Sequence, residues 1–165
     1  MKIKDAATKL EEGEILLDKG HYPGALLSLQ QCLELSAKAL LDELNISYIQ
    51  KGKPIPHDVS DKFPEAFQKI KETLELSGFE EERYKKDLAR AGFLLTFLTS
   101  IRKYLAYGFE NLANITEIFD WSFYKSKEFT ETCISTGKDC FETIQEIISK
   151  IRQTKNEKKN QKTEN

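Results

Sequence analysis

The stretch Ala91–Glu110, AGFLLTFLTSIRKYLAYGFE, constrains the fold more than any other part of this chain. Leu94, Leu98, Ile101 and Leu105 recur at three- and four-residue spacing, with Phe97 beside them. That period places one apolar stripe along a single long helix. Phe93 and Phe97 cannot all point the same way as Leu94 and Leu98, so apolar side chains stand on more than one face. A monomer would leave part of that surface wet, which is unfavourable for a patch of this size. The expectation is a two-fold homodimer with this helix at or near its interface. Toward the C-terminal end the stripe meets Arg102, Tyr107 and Gly108. An arginine beside Ile101 and Leu105 either snorkels from the core edge or serves a site.

The rest of the chain supplies four more helices. Ile3, Ala6, Ala7, Leu10 and Leu17 share a face over residues 3–19, and Gly20 follows as a left-handed stop. Pro23 sits where a first helical turn tolerates it. The seam Leu26, Leu29, Leu33, Ala37, Leu40, Leu44 ends at Asn45, and Leu27, Cys32 and Leu41 widen it, so the second helix is central. The short link between these two helices makes an antiparallel hairpin. Gly20, Tyr22 and Ala25 also match the inner turn of a tetratricopeptide repeat, but one period later the chain reads PIPHDV, and the repeat fails.

Ile46–Pro56 is an irregular loop broken by Gly52, Pro54 and Pro56. Asp58 is placed to cap a third helix with Phe63, Phe67, Ile70 and Leu74 as its stripe, Pro64 lying in its first turn, and Ser77-Gly78 ending it. The fourth helix runs from about Glu80 to Tyr107. Asn111–Ser122, carrying Trp121, is a second irregular connection. The last helix, from about Tyr124 to Arg152, puts Phe129, Cys133, Cys140, Ile144, Ile147 and Ile151 on one face. Gln153–Asn165 has no apolar residue and reads as a disordered basic tail. The domain is therefore residues 1–152, an all-α up-and-down bundle of five helices, followed by the tail 153–165.

Composition excludes several function classes. The chain has 165 residues, enough for one core without metals or disulfides. No apolar run approaches the ~20 residues of a membrane span, and the N-terminus, with acids throughout its first turns, has no export signal. Cys32, Cys133 and Cys140 are odd in number and lack C-x-x-C spacing, which fits reduced thiols in a cytoplasmic protein. The 25 basic and 27 acidic residues give −2 overall. Residues 150–165 hold six basic residues against Glu157 and Glu164, leaving the body at 19 basic against 25 acidic. A broad nucleic-acid surface is usually basic throughout, so any such contact here is local. The densest basic strip in the body is Arg83, Lys86 and Arg90, with Lys85 adjacent; it reads as a phosphate contact or as a solvated face offset by Glu80, Glu81 and Glu82. His21 falls in a surface turn, and His57 fixes its loop by hydrogen bonding. Two distant histidines with no cysteine partner make no zinc site, and no cofactor is expected. Phosphate-loop, dinucleotide and nucleophile-elbow glycine patterns are missing from the sequence.

The order of these pieces resembles the HEPN domain. Gly20-His21-Tyr22-x-x-Ala25 opens the second helix as that family does. Glu34-Leu-Ser-Ala-Lys38-Ala-Leu-Leu41 is similar to its Glu-x-x-x-Lys-Ala-Leu-Leu segment, and Pro56-His57-Asp58 to its Thr/Ser-His-Asp. Arg102-x-x-x-x-Tyr107-Gly108 lies where many members carry Arg, four to six residues, then His. The resemblance spans roughly residues 3–150. It implies a bundle that dimerises through the motif-bearing helix, an RNA-cleaving site built from Arg and His of both protomers in many members, and for some members a toxin–antitoxin pairing with a small nucleotidyltransferase partner.

This chain departs from that pattern at three positions. Tyr107 replaces the histidine, Lys103 follows the arginine where Asn or Asp is usual, and Phe109 stands where the toxin subgroup has a modifiable tyrosine. A phenol titrating near pH ~10 is a poor general base at neutral pH, which weighs against an enzyme. Five residues on an ideal helix turn through about 140° and rise about 7.5 Å, so Arg102 and Tyr107 of one chain share no face unless the helix ends or bends near Gly108. Two-fold pairing is the other way to bring them together. The expected function is a homodimeric interaction module, RNA-associated or paired with a nucleotidyltransferase-type partner. In it Arg102 meets an interface carboxylate and Tyr107 caps the core. The competing expectation is an active metal-independent ribonuclease using Arg102 and Tyr107 as catalytic residues across the dimer.

Overall fold

A computed structural model describes residues 2–107 and 125–163. Among these residues the chain forms five α-helices and no strand: α1 (Lys2–Asp18), α2 (Tyr22–Glu43), α3 (Phe63–Leu74), α4 (Gly78–Tyr107) and α5 (Lys127–Thr163), with a 3-10 turn at Ser60–Lys62 leading into α3. This is the all-α bundle that the hydrophobic periods imply.

The α1–α2 hairpin closes where expected. Gly20 adopts φ +74°, a conformation that costs a residue with a Cβ about 1 kcal/mol or more. The turn lets Gly20 N–H donate to Leu17 O at 2.9 Å and His21 N–H to Leu16 O at 2.8 Å, so the last carbonyls of α1 are satisfied. Pro23 lies in the first turn of α2. Helix α2 then packs against α1, α4 and α5 at once. Its Leu26, Leu29, Leu33, Leu40 and Leu41 are buried completely or nearly so, each worth roughly 1.5–3 kcal/mol relative to exposure. The approach of α5 to α2 depends on Gly137, where a Cβ would stand 2.3 Å from Leu29 Cδ1. Cys32, Cys133 and Cys140 are all free and buried.

Two boundaries differ from the sequence reading. Helix α3 stops at Leu74 because Glu75 itself takes the left-handed conformation (φ 52°) and Leu76 N–H closes back on Lys71 O at 3.1 Å. Gly78, expected to end α3, instead opens α4 with φ +61°. Asp58 does cap, but it accepts from Ser60 N–H at 2.9 Å and so starts the 3-10 turn rather than α3 directly. At the other end, α5 is helical past Arg152 to Thr163. What changes near residue 153 is burial: Ile151 is the last buried side chain, and residues 156–161 are exposed. The segment expected to be a tail from 153 therefore begins as a continuation of α5. The connection expected at Asn111–Ser122, with Trp121, lies outside the described residues, as does the position of Phe109.

Helix α4 positions the candidate site. Leu94, Leu98, Ile101 and Leu105 are all buried, as the stripe requires, and Tyr84, Leu88, Ala91 and Leu95 extend it toward the N-terminus. Phe97 is partly buried, stacking on Phe93 with ring centroids 6.5 Å apart and meeting Phe129 of α5 edge-on at 6.2 Å. Phe93 itself is 71 % exposed.

Candidate functional site

Arg102 stands one residue after buried Ile101, on the last turns of α4, and is half-buried. Among the described residues it has no hydrogen-bonding or charged partner. Lys103 beside it is exposed, its ammonium 4.8 Å from the Tyr104 ring centre. The backbone is helical through Tyr107, so the axial offset of about 7.5 Å and the rotation of about 140° from Arg102 both stand. The bend expected near Gly108 and the Tyr107 side chain lie outside the described residues. Within one chain the helix does not bring the two onto one face.

The basic strip has a different fate. Arg83 holds Glu146 of α5 with both distances at 2.8 Å, and its guanidinium lies 4.8 Å from the Tyr84 ring centre. Tyr84 O–H donates to the same carboxylate at 2.7 Å and to Glu80 at 3.1 Å, and Lys150 pairs with both acids. Burial alone would raise the Glu146 carboxyl, but the hydrogen bonds from Tyr84, Arg83 and Lys150 outweigh it and hold it at about 2. Burial pushes the Tyr84 phenol up to about 12. Arg90 pairs with Asp87 at 3.1 Å and reaches Asp139 at 3.5 Å, while Asp87 also accepts from Thr143 at 2.8 Å. Lys86 is exposed and has no ion-pair partner among the described residues.

Three sequence segments singled out separately converge in one buried network. Glu34 receives Lys38 Nζ at 2.7 Å from its own helix and faces His57 Nδ1 of the loop at 3.0 Å. Gln30 Nε2 donates both to Glu34 at 3.1 Å and to Thr99 of α4 at 3.3 Å, while its Oε1 is buried without a hydrogen-bond partner. Burial opposes the Glu34 charge, yet the bonds from Lys38, Gln30 and His57 keep its carboxyl below the usual range. His57 thus fixes the loop to α2, its expected role, and Val59 behind it is fully buried. His21 is exposed in its turn. Gln30 and Thr99 were not singled out in the sequence. Gln30 stands one helical turn before Glu34, which was the one local hint.

Exposed Phe93 separates two apolar grooves. One, of about 590 Å³, lies between α4 and α5 and is walled by Leu94, Phe97, Phe129 and Cys133. The other, of about 570 Å³, lies toward α3 and is walled by Phe63, Phe67 and Leu88. Burial pushes Cys133 up to about 11, and Cys32 and Cys140 to about 12, so these thiols are poor nucleophiles. Among the described residues no His/Cys/Asp/Glu group is arranged to hold a metal ion, and no helix is long and apolar enough to cross a membrane.

Comparison with known proteins gives one match. The HEPN domain family model matches residues 2–154. No curated protein and no solved structure matches the chain.

Proposed function

The chain belongs to the HEPN domain family, and from that premise we propose that it works as a homodimeric interaction module without nuclease activity, RNA-associated or paired with a nucleotidyltransferase-type protein. The observation that carries the dimer is Phe93, 71 % exposed between two apolar grooves on the helix that leads to Arg102. Burying such a ring contributes roughly 1.5–3 kcal/mol per protomer, and the same face on a second copy supplies the cover. RNA association rests on the cations without partners in their own chain, Lys86, Arg102 and Lys103, since Arg83 and Arg90 are neutralised by carboxylates. The absence of cleavage follows from the tyrosine at position 107, which supplies no group titrating near neutral pH. The cytoplasm is the proposed compartment, in keeping with three unpaired cysteines.

One observation favours a second reading, a metal-independent ribonuclease of a toxin–antitoxin pair. Arg102 has no partner in its chain among the described residues, as a phosphate-binding arginine requires. A cleavage assay separates the two. Wild type is expected to leave structured and single-stranded RNA intact relative to a mock preparation, and light scattering at micromolar concentration to give twice the 19.0 kDa chain mass. Robust cleavage lost in both Arg102→Ala and Tyr107→Phe would establish the ribonuclease instead, and a 19.0 kDa particle would remove the dimer. Tyr107→His restores an imidazole and is the variant expected to gain any latent activity.

A further inference from the structure

The exposed positions of α4 follow a pattern that its buried stripe does not announce. Phe93 is flanked by Ala89 and Thr96, then by Lys86 and Ser100, then by Glu82 and Lys103, all exposed. Steps along this line alternate between four and three residues, the seam spacing of two helices packed side by side. The residues next to Phe93 are small, which allows a second helix to approach closely, and the grooves on either side of the ring offer it a seat. At the ends of the line the charges are opposite: Glu82 toward the N-terminus, Lys103 toward the C-terminus. Neither has an ion-pair partner in its own chain among the described residues.

Charge decides the direction of pairing. Two parallel α4 helices would set Glu82 on Glu82, Lys86 on Lys86 and Lys103 on Lys103, which is repulsive at every charged step. Turned antiparallel about Phe93, Lys86 faces Ser100 of the second copy, and Glu82 comes within one residue of facing its Lys103. We propose that a second copy of this chain docks antiparallel on α4 with the two-fold axis at Phe93, pairing Glu82 of each protomer with Lys103 of the other. This rests on the homodimer reading and fixes its geometry. Arg102 lies nine residues beyond the axis, so the two Arg102 side chains stand about 27 Å apart along the helices. That distance is too great for one phosphate to touch both. Each Arg102 faces the acidic first turns of the opposite α4 instead, and the interface holds no composite two-arginine site.

Pulsed electron-spin distances on the full chain test the axis. Lys86→Cys and Ala106→Cys introduce exposed thiols, while the native cysteines are buried, and unlabelled wild type is the control for that. With the axis at Phe93, the 86–86 separation along the helices is about 21 Å and the 106–106 separation about 39 Å. The reverse order, with 106–106 the shorter, moves the axis to Arg102 and overturns the geometry while the dimer survives. Two short, equal distances mean parallel helices and overturn it as well. No distance in either variant means a monomer, and the homodimer reading falls with it. Charge reversal tests the pairing: Glu82→Lys and Lys103→Glu are each expected to weaken dimerisation about threefold to tenfold, and the double variant to restore it. A dimer in which the double variant is no tighter than the singles overturns the Glu82–Lys103 pair.

Discussion

The two ends of α4 carry the same kinds of residue and treat them in opposite ways. Toward the N-terminus, Arg83 and Arg90 are clamped by Glu146 and by Asp87 with Asp139. Toward the C-terminus, Arg102 and Lys103 have no carboxylate within their own chain among the described residues. Both ends rest on a continuous buried stripe, so packing does not explain the difference. Helix α5 does: it brings Asp139 and Glu146 to the first half of α4. A cation on a helix is structural where a neighbouring helix supplies its counter-charge, and is open to an outside partner where none does. The strip Arg83–Arg90 looked like the densest phosphate contact in the body, yet the unpaired pair is elsewhere.

Removing Glu146 is the strongest way to break that contrast. Glu146→Ala takes the shared acceptor from Arg83, Tyr84 and Lys150. Because the site is partly solvated, the expected loss is about 1–2 kcal/mol rather than the larger cost of a fully buried charged bond. For a chain of this length that is a fall of roughly 3–8 °C in melting temperature. Glu146→Gln tests the charge alone. Its carboxyl drops from an ordinary 4.5 to about 2 on folding, so the stabilisation is complete above pH 4.5 and disappears as pH falls toward 2. The variant should flatten the acid limb of the stability profile in that window. An unchanged midpoint and an unchanged acid limb would mean that the N-terminal cations are as loosely held as Arg102.

A smaller effect is expected at the open end. Arg102→Ala, measured at dilutions where protomers are separate, should change stability by no more than about 0.5–1 kcal/mol, the packing of its stem being the main loss. A loss matching Glu146→Ala would show Arg102 to be a structural cation after all, and the two ends of α4 to be alike.

The sequence exposed the local half of this picture. The stripe Leu94–Leu105, the wide seam of α2 and the stop at Gly20 depend on neighbours three or four residues away, so their period can be read directly. The Arg83–Glu146 and Tyr84–Glu146 bonds join residues more than sixty positions apart, and no local pattern marks them. The Gln30–Glu34–His57 network likewise needs the loop to fold back on α2, although each motif piece was visible alone. At α3 the left-handed residue proved to be Glu75, because a single residue in that conformation closes the helix as well as a nearby glycine would. Arg102 was assigned to the right face of the right helix, but its lack of a partner is a fact about α5 and could not be read from α4.

Helix α5 repeats the contrast at its far end, where the effect should be smallest. Arg152 Nε meets Glu43 Oε2 at 2.8 Å, and Lys155 Nζ reaches both Glu43 Oε1 at 2.8 Å and the Glu43 carbonyl at 2.5 Å. These two cations therefore cap the C-terminus of α2, where positive charge opposes the helix dipole favourably. They hold the Glu43 carboxyl below its ordinary range although burial pushes the other way. Beyond them, residues 156–161 are exposed and carry no apolar side chain; their helix rests on good formers such as Lys, Glu and Gln. Deleting residues 157–165 should leave the melting temperature within about 1 °C, since no buried contact is lost. Deleting 152–165 removes the cap on α2 as well and should cost about 0.5–1.5 kcal/mol. Two cuts with equal cost would show that the clamp on Glu43 contributes nothing, or that the exposed helical arm docks on the body; a shorter cut that melts several degrees lower establishes the second.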